Sequence, residues 1–153
     1  MKAKRYAPCI LATCCVPWNE DRCFAEDIFR RQVRNLLTNL TRDLYIFGTA
    51  GEGYAVTDKQ FDQIVRVFRE ETSQPDVRGM VGVMGLSLGT MIERIERARG
   101  MGIRYFQISL PSWGALNDGE MKQFFKEICA RFPDCSFMHY NLLRTKRIVT
   151  PDE

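Results

Sequence analysis

The 153-residue chain carries a formal charge of +3 at pH 7, with 45% hydrophobic and 27% charged residues. Such a composition belongs to a globular chain long enough to bury a core, and it excludes a disordered or fibrous one. Lys and Arg are interspersed with Asp and Glu, which argues against nucleic acid or an anionic membrane as a partner.

Taken in order, the chain begins with the basic stretch Met1-Lys2-Ala3-Lys4-Arg5. The segment behind it holds Pro8 and Pro17 and is broken by Trp18, Asn19 and Glu20, so it reads as neither a signal peptide nor a membrane span. Residues 8–16, rich in Cys, Ile, Leu and Val, predict a buried strand. A turn is expected around Asn19-Glu20-Asp21. Ile28, Val33, Leu36, Leu37 and Leu40 then recur at helical spacing and predict a first helix. A second strand follows at 44–47, closed by Gly48. Thr57 and Gln60 form a capping-box pattern ahead of a second helix that buries Phe61, Ile64, Val65 and Phe68. A third strand is predicted at 77–83. The third helix faces Ile92, Ile95 and Ala98 inward and ends at Gly100 and Gly102.

The fourth strand, 104–110, stops at Pro111. Asn117 and Glu120 repeat the capping box, and Met121, Phe124, Phe125, Ile128, Cys129 and Phe132 make the apolar stripe of a fourth helix, ended by Pro133. A fifth strand is predicted at 135–140. A basic loop leads to Thr150-Pro151-Asp152-Glu153, an N-cap, a first-turn proline and two acids, which together read as a helix start. The six cysteines, Cys9, Cys14, Cys15, Cys23, Cys129 and Cys135, show no CxxC and no metal-finger spacing. They predict reduced structural thiols in a cytoplasmic protein and no metal site.

Strands and helices that alternate, with apolar strands, predict an α/β fold with a parallel sheet covered by helices. Two architectures fit. A five-stranded doubly wound sheet would be complete at this length. A TIM (β/α)8 barrel needs roughly 250 residues, so the chain would be a partial barrel of about five strands and four helices. Length favours the first, and the helix start at the end of the sequence favours the second.

Two places could carry chemistry. Gly48-Thr49-Ala50-Gly51-Glu52-Gly53 directly follows the second strand, and ligands of parallel α/β folds sit at the carboxyl ends of strands. Its glycines would let the backbone turn sharply and offer N–H groups to a carboxylate or phosphate, although the motif matches no standard phosphate loop. A plain glycine turn explains it equally well. His139-Tyr140-Asn141 ends the fifth strand, where alternation points His139 and Tyr140 to opposite sides. Tyr140 could carry a proton at the barrel mouth. His139, the single histidine, reads as packed against a helix. In Arg144-Thr145-Lys146-Arg147, Arg144 could clamp a carboxylate through two hydrogen bonds, whereas Lys146 and Arg147 read as solvated loop. Trp113 would line a pocket or an interface.

In this order the segments resemble the dihydrodipicolinate synthase and N-acetylneuraminate lyase family over nearly the whole chain. Residues 10–18 are similar to its first strand, with Pro17 in its Thr-Pro-Phe-like end. Gly48 to Glu52 resembles its Gly-Thr-Thr-Gly-Glu loop, Pro111-Ser112-Trp113 its Pro-Tyr-Tyr segment, and Tyr140-Asn141 its Tyr-Asn-Val-Pro segment. The resemblance implies the N-terminal part of a TIM barrel as a single domain over 1–153, with the sixth strand onward absent. It implies a class I aldolase or lyase that makes or breaks a carbon–carbon bond in pyruvate or another 2-oxo acid through a Schiff-base lysine, as a homo-oligomer (dimer or tetramer), without a cofactor. Carried over, Tyr140 is the proton-transfer tyrosine. Thr49 hydrogen-bonds it and helps hold the substrate carboxylate, together with Ala50 and Arg144. Ala50 replaces a second Thr or Ser, and Trp113 replaces a tyrosine of an intersubunit proton relay, which argues against dihydrodipicolinate synthase activity itself. The lysine would lie on a sixth strand that the sequence does not contain. Lys146, on a surface loop, is a poor substitute, because nothing there would lower its pKa.

Overall fold

A computed structural model describes residues 8–150, in which strands and helices alternate strictly. The elements are β1 (Leu11–Cys14), α1 (Glu26–Asn39), β2 (Asp43–Ile46), α2 (Asp58–Glu71), β3 (Arg78–Val83), α3 (Leu88–Gly100), β4 (Tyr105–Ile108), α4 (Asp118–Arg131) and β5 (Ser136–His139), followed by a 3-10 turn at Leu143–Thr145. Each strand expected from the sequence forms, though most are shorter than their apolar runs. Of the helix start expected at 150–153, residues 151–153 lie outside the described part.

All four strand pairings are parallel, and the strand order is β1-β2-β3-β4-β5. A doubly wound sheet reverses its order at a switch point, and this one never does. Right-handed crossovers between sequential parallel strands put every helix on the same face. The doubly wound alternative is therefore wrong. The fold is the N-terminal part of a TIM-type barrel, with four helices outside five strands. Alternation within the strands follows from this. Phe106, Ile108 and Leu110 enter the core cluster beneath the helices, while Gln107 and Ser109 take the opposite, inner face.

Local signals account for most helix boundaries. The Gln60 N–H donates to Thr57 Oγ1 at 3.3 Å, and the Thr57 N–H donates to Gln60 Oε1 at 2.9 Å. Asn117 and Glu120 close the same box at 3.0 and 2.8 Å. Ser87 caps α3 by accepting from the Thr90 N–H at 3.2 Å. That helix ends at Gly100, and Gly102 takes a left-handed φ of +93°.

The buried faces correct some expectations. On α1 the inward stripe is Phe29, Val33 and Leu37, each one turn from the next, so Ile28 is turned toward solvent. Leu40 follows the last helical residue and is also exposed. Phe29 locks the stripe by ring contacts with Phe24 at 5.3 Å and Phe68 at 6.4 Å. Met91 joins Ile92, Ile95 and Ala98 on α3. On α4, Met121, Phe124 and Ile128 are buried, Phe125 is only half-buried, and Cys129 lies at the solvent edge of the stripe. The cysteines form no disulfide, and Cys14 alone is fully buried, so the small-hydrophobe reading holds for it and fails for the exposed Cys9, Cys15, Cys23 and Cys129. Burial pushes the Cys14 thiol up to about 12.

Outside the core, ion pairs stitch each helix to the next. Arg30 and Arg34 of α1 hold Glu71 of α2 at 2.8 and 2.6 Å. These contacts, with that of Arg34 the stronger, keep the Glu71 carboxyl below its ordinary range. Arg97 of α3 meets Asp62 of α2 at 2.8 Å, and Arg131 of α4 meets Glu96 of α3 at 2.8 Å.

Candidate active site

The loops after β2, β3, β4 and β5 gather at the carboxyl end of the sheet around a cavity of about 710 Å³. Thr49, Met84, Ser109, Ser112 and Arg144 reach it from those four loops. The sequence placed Thr49 and Arg144 at this mouth, and the fold brings them to the same cavity. Ala50, Trp113 and Tyr140 do not line it.

The 48–53 loop turns without a left-handed glycine. The left-handed residues here are Phe47 (φ +63°), just before the loop, and Glu52 (φ +52°) within it, both costly for residues with a Cβ, while none of Gly48, Gly51 and Gly53 has a positive φ. The glycines are needed for space. A Cβ on Gly53 would stand 2.5 Å from both the Cβ and the carbonyl oxygen of Phe47. The glycines serve the turn by close approach and not by a left-handed φ. They let the chain fold back on Phe47, which is itself buried and stacked on Phe61 at 5.2 Å.

Within this loop the Glu52 N–H donates to Thr49 O at 3.2 Å, and the Gly53 N–H to Gly48 O at 3.4 Å. The amides of Thr49, Ala50 and Gly51 have no partner among the described residues. Ala50 therefore still offers a donor, its backbone N–H.

The two arginines of the cavity differ. Arg94, from α3, has its guanidinium occupied by Gly53 O, Val56 O, Met84 O and Asp58. Arg144, in the 3-10 turn, is exposed and has no hydrogen bond or ion pair among the described residues. Its turn is anchored by the buried Thr145, whose Oγ1 lies 2.7 Å from Leu142 O and 2.8 Å from Arg147 O. Lys146 Nζ donates to Trp113 O at 3.0 Å, tying the β5 loop to the β4 loop. Arg147 was expected in solvent. It is instead half-buried, paired with Asp118 at 2.7 Å and donating to Leu116 O at 2.8 Å, because it closes the gap to the start of α4.

His139 packs edge-on against Phe125 of α4, with ring centroids 5.0 Å apart. It sits on the helix side of the sheet, as the alternation predicts, and burial lowers its pKa. Tyr140 follows on the other side, and its N–H donates to Ile108 O at 2.7 Å. The hydrogen bond between Thr49 and Tyr140 implied by the resemblance is not formed here. Trp113 is 79% exposed. Below the mouth, Gln107 is buried on the inner face, and neither its amide nitrogen nor its amide oxygen has a partner among the described residues. Sequence reasoning missed Gln107, Ser109 and Arg94. The first two were legible as polar interruptions of an apolar strand. Among the described residues no cluster of His, Cys, Asp and Glu could hold a metal ion, and no helix is long and apolar enough to cross a membrane.

Residues 7–153 match the Dihydrodipicolinate synthetase family. The chain belongs to that family. Solved structures related to the dihydrodipicolinate synthetase fold superimpose closely on it. A prophage protein of the dihydrodipicolinic acid synthase family from E. coli K12, in complex with pyruvate, aligns with a TM-score of 0.87 at 16% identity, over 93% of this chain and 47% of that one. Dihydrodipicolinate synthase from Thermotoga maritima gives 0.84 at 22% identity, over 93% and 48%. CdNal from Clostridium difficile, in complex with mannosamine, gives 0.82 at 16% identity, over 94% and 49%. The chain spans about half the length of these family structures.

Proposed function

We propose that this chain forms the carboxylate-binding side of a Schiff-base aldolase or lyase that acts on pyruvate or another 2-oxo acid. One observation carries the reading. Thr49 and Arg144 line one cavity from two loops, and the amides of residues 49–51 and the Arg144 guanidinium have no partner among the described residues. A carboxylate satisfies such donors, and an arginine fork suits it best. Tyr140 would move the proton at the reacting carbon, and a lysine from a sixth strand, outside this sequence, would form the imine. Protonated, the imine draws electrons from the adjacent carbon–carbon bond. Ala50 and Trp113 favour an activity other than dihydrodipicolinate synthesis. The chain would work without a cofactor, in the cytoplasm and as a homo-oligomer, with no nucleic acid or membrane partner. Borohydride trapping with pyruvate tests the reading. The full-length gene product should gain one covalent adduct and residues 1–153 alone none. A full-length protein that never forms the adduct overturns it.

A second reading draws on β1 and β5, each paired along one side only. In it the 1–153 chain is a non-catalytic half-barrel whose edges are covered by another chain. A monomer in sedimentation that melts cooperatively would contradict it.

A further inference from the structure

We infer that Arg94 is a positioning residue that holds the 48–53 loop in its ligand-accepting form, an inference that rests on reading that loop as a carboxylate site. The loop has a structural problem to solve. Phe47, which launches it, and Glu52 within it are left-handed, and three of its amides have no partner among the described residues. Left to itself, a segment of this kind would relax toward ordinary φ values and pair its own N–H groups.

Arg94 opposes that relaxation from α3. One guanidinium nitrogen, Nη1, donates to Gly53 O at 3.2 Å and to Met84 O at 3.4 Å. Nη2 donates to Val56 O at 3.0 Å, and Nε donates to Asp58 Oδ1 at 3.3 Å. The group therefore joins the far end of the loop, the start of α2 and the end of β3. It also lies over the Phe61 ring, with its carbon 5.1 Å from the centroid, and Phe61 stacks on Phe47. Both ends of the loop thus lean on a single cation whose side chain is 14% exposed.

Four of the five guanidinium N–H groups have acceptors, so Arg94 has little left to offer a substrate even though it lines the cavity. Lysine cannot substitute. Its three donors radiate from one atom and cannot serve four acceptors spread around a planar fork.

The test compares Arg94→Lys and Arg94→Met with wild type in the full-length protein, using Arg97→Lys as a control on the same helix. Hydrogen exchange of the peptide spanning 47–56 should accelerate roughly tenfold in both Arg94 variants, while β3 and β4 stay protected. The KM for pyruvate should rise roughly tenfold with kcat changed far less, as expected for lost ground-state and transition-state binding alike. Lysine should not rescue either readout, and Arg97→Lys should move neither. If Arg94→Met does not fold, Arg94→Lys decides alone. Unchanged loop exchange, or rescue by lysine, overturns the inference. If the wild-type protein binds no 2-oxo acid, the carboxylate reading fails, while the exchange data still decide whether Arg94 holds the loop.

Discussion

Gly82 on β3 lies directly beneath the carbonyl oxygen of Phe47, so close that a Cβ at position 82 would overlap it. Phe47 is the left-handed residue that launches the 48–53 loop, and its ring is fully buried against Phe61. The carbonyl therefore cannot withdraw without disturbing the core. Gly82→Ala should destabilise the chain by about 1–3 kcal/mol, the usual cost of forcing extra volume into a packed site. A urea melt reads this directly. A neutral substitution would mean that the loop moves freely.

Gln107→Leu should act in the opposite direction. The amide is buried with both polar atoms unpaired among the described residues, and an unsatisfied buried group costs about 1–3 kcal/mol. Leucine of similar volume removes that cost, and the midpoint of unfolding of residues 1–153 should rise. A fall would show that the amide has a partner after all.

Arg144→Lys should weaken pyruvate binding in the full-length protein by roughly tenfold while leaving its melting temperature unchanged. The guanidinium makes no hydrogen bond or ion pair among the described residues, and an ammonium cannot reproduce the two-pronged grip that a guanidinium offers a carboxylate. Isothermal titration against pyruvate, beside a thermal melt, separates the two effects. A loss of stability would assign Arg144 a structural role.

His139 predicts a pH dependence. Burial against Phe125 holds its pKa below the ordinary 6.5. The unfolded chain therefore binds the proton more readily than the folded one. Stability from this source is fully present above about pH 6.5 and is lost as pH falls from there through the folded pKa. His139→Leu should flatten that part of the profile. Because the chain has one histidine, its imidazole gives a single NMR titration, whose midpoint should lie below 6.5.

The outline of the fold was legible because its signals are local. Thr57 with Gln60, and Asn117 with Glu120, set helix starts within one turn of chain, and both boxes form. Strand order was not legible from periodicity, which describes an element and says nothing about its neighbours; it came only from the motifs that carry the family resemblance. The site divided in the same way. Thr49 and Arg144 could be placed because they follow strand ends. Arg94 could not, because its acceptors Gly53 and Val56 lie 41 and 38 residues away with no repeating pattern to link them. The left-handed Phe47 was invisible for a related reason: aromatic residues rarely adopt that conformation, and only the packing against Phe61 and Gly53 makes it tolerable here.

The ion pairs between helices have a further consequence. Asp62 and Arg97, Glu96 and Arg131, and Arg99 and Asp134 are each separated by 35 residues, the length of one strand–helix unit. Each seam joins a unit only to the next, so cohesion passes along the chain link by link, as in a repeat protein. Cutting one seam slackens two units and leaves the others tight. An architecture fastened in this way can gain or lose whole units at its margins while every remaining joint keeps its own fastening.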